Sequence, residues 1–239
     1  MLKAIQKLST NAINSEPATI AFLGDSITNG CFEVGVDENG FFKTKYDTKN
    51  SYTTYIKNIL NTFYPQSHLN IINAGVSGDS SAWGYDRIDR DVLKYSPDLV
   101  VVCFGLNDCM NGEQGINDYA NTLGKIFDKL KDAGTEVIFM TPQPICDRVS
   151  HELTHQKLID VARRLVKISQ EGILDKYMQA GVEMAKEKGV LVCDCYSKWM
   201  KLKENGVDIT DLLSNKLNHP TREMQYLFAF YLIETMMEN

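Results

Sequence analysis

Four positions carry residue types that together can do acyl-transfer chemistry: Ser26, Gly78, Asn107 and His219. A serine hydroxyl is a weak nucleophile until a base takes its proton. It also needs donors aimed at the oxyanion that forms when it attacks a carbonyl. Ser26 follows the apolar run of "TIAFLGDSITNG" at a predicted strand-to-helix turn, where main-chain N–H groups point outward. Gly78 offers an N–H with no side chain in the way. Asn107 offers an amide donor, and His219 a base whose proton is exchangeable near neutral pH. A serine, two further donors and a histidine suit nucleophilic attack on a carbonyl. Taken alone, Ser26 reads better as a helix N-cap; with Gly78, Asn107 and His219 in order, the nucleophile is the preferred reading.

These residues must be held at one place by the elements around them. Five short apolar runs read as buried strands: 18–23, 69–73, 98–105, 135–141 and 189–195. They are rich in β-branched residues and apolar on both faces, as a parallel sheet covered by helices requires. Helical periodicity lies between them, over 51–64, 116–134 and 153–188, with a break near Gly172. The chain closes on the apolar stretch "PTREMQYLFAFYLIETMM", where Pro220 suits a first helical turn. That helix reads as packing on the sheet rather than on a partner; oligomeric state is not legible. The alternation specifies an α/β doubly wound sheet, whose ligands sit beyond the carboxyl ends of the strands. Ser26, Gly78 and Asn107 each follow such an end, so small, polar and chemically active residues converge on one rim.

The blocks "GDSITNG", "NAGVSG", "GLND" and the His219-Pro220 pair, in that order across residues 24–220, resemble the SGNH, or GDSL, hydrolase family. The resemblance implies a three-layer α/β/α flavodoxin-like sandwich with a five-stranded parallel sheet, and ester hydrolysis without cofactor or metal. It implies Ser26 as nucleophile and His219 as general base and later acid. It also implies an oxyanion hole from the N–H groups of Ser26 and Gly78 and the Asn107 side chain. One departure stands out. The family carries Asp three residues before the histidine, and Lys216 occupies that position here. The orienting partner of His219 is then Asn215, Asp211 or a backbone carbonyl, with Asn215 or a carbonyl preferred.

A rival motif is "HELTH", which fits the H-E-x-x-H zinc pattern through His151, Glu152 and His155, with Glu171 as a conceivable third ligand. It lacks supporting context, and a solvated first helical turn at the pocket rim is the preferred reading. A flavodoxin-like phosphate- or carbohydrate-binding module is the non-enzyme alternative. Neither G-x-x-x-x-G-K-[ST] nor G-x-G-x-x-G is present. The net charge of −6 provides no basic stripe for nucleic acid. No run approaches the ~20 apolar residues of a membrane span. The N-terminus lacks signal-peptide character, so a cytoplasmic location is expected. The six cysteines read as reduced, Cys193 and Cys195 sharing a strand face where a metal pair is conceivable but unsupported. Asp25, Asp108, Asn73 and Asp79 read as turn residues. Residues 1–239 read as a single hydrolase domain. Phe32, Phe41, Phe42, Tyr46 and Trp83 are candidate pocket walls, whereas Tyr52 and Tyr55 read as helix core. Aromatic walls and no evident long apolar groove favour a small acyl group, such as acetyl on a sugar. A lipase or thioesterase acting on longer acyl chains is the alternative.

Overall fold

The computed structural model describes residues 1–10 and 12–239. The strands are β1 (Ala18–Gly24), β2 (Cys31–Val36), β3 (Phe42–Tyr46), β4 (Leu69–Gly75), β5 (Leu99–Cys103), β6 (Glu136–Met140) and β7 (Leu191–Cys193). The helices are α1 (Lys3–Leu8), α2 (Ser26–Asn29), α3 (Tyr52–Phe63), α4 (Ser81–Asp86), α5 (Ile88–Asp91), α6 (Ile116–Asp132), α7 (Gln156–Gln170), α8 (Ile173–Glu187), α9 (Cys195–Glu204) and α10 (Arg222–Met237).

Five strands form one parallel sheet in the order β4-β1-β5-β6-β7. The second sheet strand therefore lies outside the first, which is the flavodoxin-like order. The chain reverses its winding between β1 and β5, and a crevice opens there beyond the strand ends. Every residue of β5 is buried, consistent with its unbroken run of Leu, Val and Cys. The edge strand β4 is only partly buried and can carry Asn70 and Asn73. Helices α3 and α10 cover one face; α4, α6 and α8 cover the other. On the first face Phe22, Tyr52, Phe228 and Trp199 form a chain of ring contacts with centroids 5.6 to 6.1 Å apart. On the second, Phe127 packs edge-on against Phe139 at 5.8 Å. Burial of each such side chain contributes about 1.5–3 kcal/mol.

The structure differs from the sequence expectations at four places. Residues 31–46 form an antiparallel hairpin, β2–β3, outside the main sheet. Cys195 opens α9 instead of extending a strand, so it does not share a strand face with Cys193. Residues 151–155 form the turn before α7 rather than its first turn, and the His155 ring caps the helix by accepting from Lys157 N at 3.2 Å. Pro220 lies ahead of α10 and bridges to Leu213, while Thr221 caps the helix.

Gly24, Gly75 and Cys103 stand side by side at the carboxyl ends of β1, β4 and β5. Gly75 is required there. A Cβ on it would stand 2.3 Å from Asn29 N and 2.7 Å from Thr28 C, both main-chain atoms of α2. Gly75→Ala is therefore expected to push α2 off the sheet at a cost of about 1–3 kcal/mol. A urea midpoint that does not move would show that α2 has room to shift.

Candidate active site

Helix α2 begins immediately after β1, and Asp25 sets its start. Asp25 Oδ1 accepts from Ile27 N at 2.9 Å, so the N-cap is Asp25 and not Ser26. Gly30, at φ +87°, ends the helix after one turn. Ser26 thus occupies the first helical position, where its N–H has no intrahelical acceptor. Gly78 has φ +80°, and the place its Cβ would take has no atom within 4 Å, so the loop is open on that side. Asn107 Nδ2 donates to Asp79 O at 2.7 Å and stands 3.5 Å from Asp25 Oδ2. That fixes the amide between the Gly78 loop and the start of α2.

Two buried groups tie these loops together. Arg87 donates to Gly24 O (3.0 Å), Ala74 O (2.6 Å) and Asp79 Oδ2 (2.6 Å). One guanidinium therefore joins the ends of β1 and β4 to the loop after Gly78. Asp108 Oδ1 accepts from Ser81 N and Oγ at 3.0 and 2.6 Å, joining the loops after β4 and β5. Asn73, read from the sequence as a turn residue, lies within β4; it accepts from Gly75 N and donates to Thr28 O, tying the strand end to α2.

His219 arrives from the other end of the chain. Its Nε2 lies 3.0 Å from Ser26 Oγ, and its Nδ1 lies 3.1 Å from Phe32 O and 3.4 Å from Cys31 Sγ. A carbonyl can only accept, so the Nδ1 proton is fixed and Nε2 is left to accept from the serine hydroxyl. Of the three partners open from the sequence, the backbone carbonyl holds the ring. Asn215 does not touch the imidazole. Its Oδ1 accepts from the main-chain N–H groups of Leu217, Asn218 and His219, each at 3.0 Å, and so shapes the loop. Asp211 is paired with Arg148 at 2.7 Å on the surface. Lys216 has φ +56° and turns to Glu152 at 3.0 Å and Asp211 at 3.5 Å.

Burial dominates the electrostatics. It pushes the His219 imidazolium down to about 4, against the Phe32 carbonyl and the Glu33 charge. It pushes the Asp25 carboxyl up to about 7, against its bond from Ile27 N. It pushes the Cys31 thiol up to about 12, so this group remains a thiol at neutral pH. The arrangement can move a proton from a serine hydroxyl to a neutral imidazole at the start of a helix.

Among the described residues, no group of three His, Cys, Asp or Glu side chains could hold a metal ion. Glu152 of the H-E-x-x-H match is paired with Lys216 instead. The six cysteines are unpaired and buried, with Cys193 and Cys195 sulfurs 3.7 Å apart. Phe32 is core rather than pocket wall, and Tyr52 and Tyr55 are helix core. Phe41, Phe42, Tyr46 and Trp83 are exposed. Arg87, Cys31 and the Phe32 carbonyl were not singled out from the sequence. Arg87 sits in the charge-rich "YDRIDRD", which reads as a solvated surface, and a carbonyl is carried by every residue.

The profile of the GDSL-like lipase/acylhydrolase family matches residues 22–227. The chain belongs to this family. Relatives include an acetylxylan esterase of Geobacillus stearothermophilus, 26% identical over 132 residues (52% of this chain, 58% of that protein). An arylesterase of Vibrio mimicus is 31% identical over 72 residues (30% of this chain, 36% of that protein). These matches span less than two thirds of either relative. The crystal structure of the acetylxylan esterase Axe2 from Geobacillus stearothermophilus superposes with a TM-score of 0.68 at 19% identity, covering 91% of this chain and 93% of that one. The fold is thus the one this family uses: a five-stranded parallel sheet between helical layers.

Asn215 is the one member of the loop whose loss strands several donors. Asn215→Ala is expected to cost about 1–3 kcal/mol in chemical denaturation. Asp211→Ala, which removes an exposed pair, is expected to change stability by less than about 1 kcal/mol. Equal losses in the two variants would contradict this assignment.

Proposed function

We propose that this protein hydrolyses carboxylic esters through an acyl-enzyme on Ser26, and that its substrates are short-acyl esters such as O-acetyl groups on carbohydrate. The observation that carries the reading is the 3.0 Å contact between Ser26 Oγ and His219 Nε2, with Nδ1 fixed by the Phe32 carbonyl. Membership of an acylhydrolase family supports the reaction class. The acetylxylan esterase among the relatives supports the acyl group, and the exposed aromatic side chains of the β2–β3 hairpin suit a sugar face. Residues 1–239 act as one hydrolase domain in this reading. Six unpaired cysteines support a reducing, cytoplasmic setting. Among the described residues no helix is long and apolar enough to cross a membrane.

His219 Nε2 takes the Ser26 proton as Oγ attacks the carbonyl carbon. The oxyanion accepts from Ser26 N–H, Gly78 N–H and Asn107 Nδ2. The carbon–oxygen bond to the alcohol breaks, and His219 returns the proton to the leaving oxygen. Water then attacks the acyl-enzyme with His219 again as base, releasing the acid and restoring Ser26. The imidazolium is stabilised by a carbonyl dipole instead of a carboxylate, which supports the cation less strongly.

Acetyl esters of p-nitrophenol and of xylooligosaccharides should be cleaved faster than octanoyl esters, with or without a chelator. Ser26→Ala should abolish turnover, and Asn107→Ala should lower kcat by about 10²–10³-fold. Activity retained in Ser26→Ala, or faster octanoyl cleavage, would refute the mechanism or the acyl preference respectively. A second expectation concerns pH. His219 must be neutral to act, and its imidazolium is pushed down to about 4. The acid limb of kcat/KM should therefore lie near pH 4 instead of near the ordinary 6.5. An acid limb at 6.5 would mean that the imidazole is solvated in the working enzyme.

A further inference from the structure

The Phe32 carbonyl takes the place of a carboxylate, so something must hold a piece of main chain as firmly as a side chain is held. Phe32 belongs to β2, which lies outside the main sheet. The hairpin is fixed to the His219 segment at two points. Ser214 Oγ donates to Phe32 O at 2.8 Å. Arg222, three residues beyond His219, donates through Nη1 to Glu33 Oε1 and through Nε to Asp47 Oδ2, both at 2.7 Å. Its guanidinium also lies over the Phe32 ring, 4.3 Å from the centroid. Asp47 closes the hairpin base, since its N–H donates to Gly30 O at 2.8 Å.

We infer that Arg222 is a positioning residue: it clamps Glu33 and Asp47 so that the carbonyl of Phe32, the residue before Glu33, meets His219 Nδ1. This rests on the serine-esterase reading above. Three features separate the clamp from an ordinary surface ion pair, which contributes little. One guanidinium holds both edges of the hairpin base. Its planar face packs on the very residue whose carbonyl is used, which lysine cannot reproduce. And it starts α10, so the clamp and the histidine move as one short segment. Displacement of a positioning group by about 1 Å can cost about 10²-fold in rate. Of the two groups on Nδ1 among the described residues, the Phe32 carbonyl must accept a proton there, whereas the Cys31 thiol can itself donate.

The test compares wild type, Arg222→Met, Arg222→Lys and Glu33→Gln. Methionine keeps an apolar stem over Phe32 and removes the charge and the fork. Turnover of p-nitrophenyl acetate is measured with a check that each variant unfolds cooperatively. The protonation of both His219 ring nitrogens is read by NMR. Arg222→Met is expected to lower kcat by about 10-fold or more with KM changed by less than about twofold. Its His219 signal should lose the single Nδ1–H tautomer expected in wild type. Arg222→Lys and Glu33→Gln should show the same changes to a smaller degree, and they decide the matter if Arg222→Met does not fold. A variant that only melts earlier, with wild-type kcat and tautomer, overturns the proposal. If wild type cleaves no ester, the esterase reading falls, and the tautomer comparison alone still decides whether Arg222 positions His219.

Discussion

A buried imidazole that must accept a proton at one nitrogen has to be denied a free choice of tautomer at the other. In this protein that requirement is met by a main-chain carbonyl, Phe32 O, 3.1 Å from His219 Nδ1. Much of the surrounding architecture follows from it. A carbonyl cannot be delivered by a rotamer; the whole strand that carries it must be brought to the ring. The hairpin β2–β3 is that delivery device, and its first strand starts directly after the helix that carries Ser26. Ser26 and the carbonyl that orients His219 are thus held by one continuous stretch, while His219 comes from a separate loop closed by Asn215.

The sheet supplies the other half of the geometry. Its strands are parallel, so the loops after β1, β4 and β5 lie at the same end, and the reversal of winding between β1 and β5 opens a crevice there. Loops alone would be too soft to hold donors in place. Arg87 compensates by joining two strand ends and Asp79, and the Asp79 carbonyl in turn holds the Asn107 amide. Breaking a buried pair of this kind is costly because it leaves an uncompensated charge. The Arg87–Asp79 pair therefore gives the rim its rigidity where regular structure ends.

The five parallel strands were readable in the sequence because strands buried on both faces need near-continuous apolar, β-branched runs, of which "DLVVVCFG" is one. Helices α6, α7 and α8 were readable from their periodicity and from Gly172, whose φ of +63° breaks the last two apart. The β2–β3 hairpin was not. Its strands are partly exposed and carry Glu33, Lys43 and Lys45, so no apolar run marks them. The available signal was the Asn39-Gly40 pair, whose turn Asp37 secures by accepting from Asn39 N and Phe41 N. Helix α9 was absorbed into a strand because Cys193 and Cys195 read as one apolar run, although Asp194 between them caps the helix through Ser197 N. In the site, the side chains that come together could be singled out from the sequence by type, and the main-chain groups could not. Ser26, Asn107 and His219 announce themselves by type. Nothing in the identity of Phe32 says that its carbonyl faces an imidazole.

The lysine at position 216 shows how such a site can exist without the carboxylate. A carboxylate three residues before the histidine would need that loop to turn its side chain inward. Here Lys216 takes a left-handed backbone conformation and points to Glu152 and Asp211. Asn215 then accepts the N–H groups that the tight loop leaves without partners. The loop's polar demands are therefore met within itself, and the ring's are met by β2. Separating the two has an electrostatic consequence. With no anion in contact, burial outweighs the Phe32 carbonyl and the Glu33 charge, so the resting imidazole stays neutral well into acid. In the proposed mechanism the cation formed on proton transfer leans on a carbonyl dipole and on the Glu33 charge. Glu33 is itself held by Arg222, whose positive charge offsets its field. What the arrangement supplies to His219 is therefore chiefly orientation, and a fixed tautomer is the part of a carboxylate's role that a neutral acceptor can reproduce.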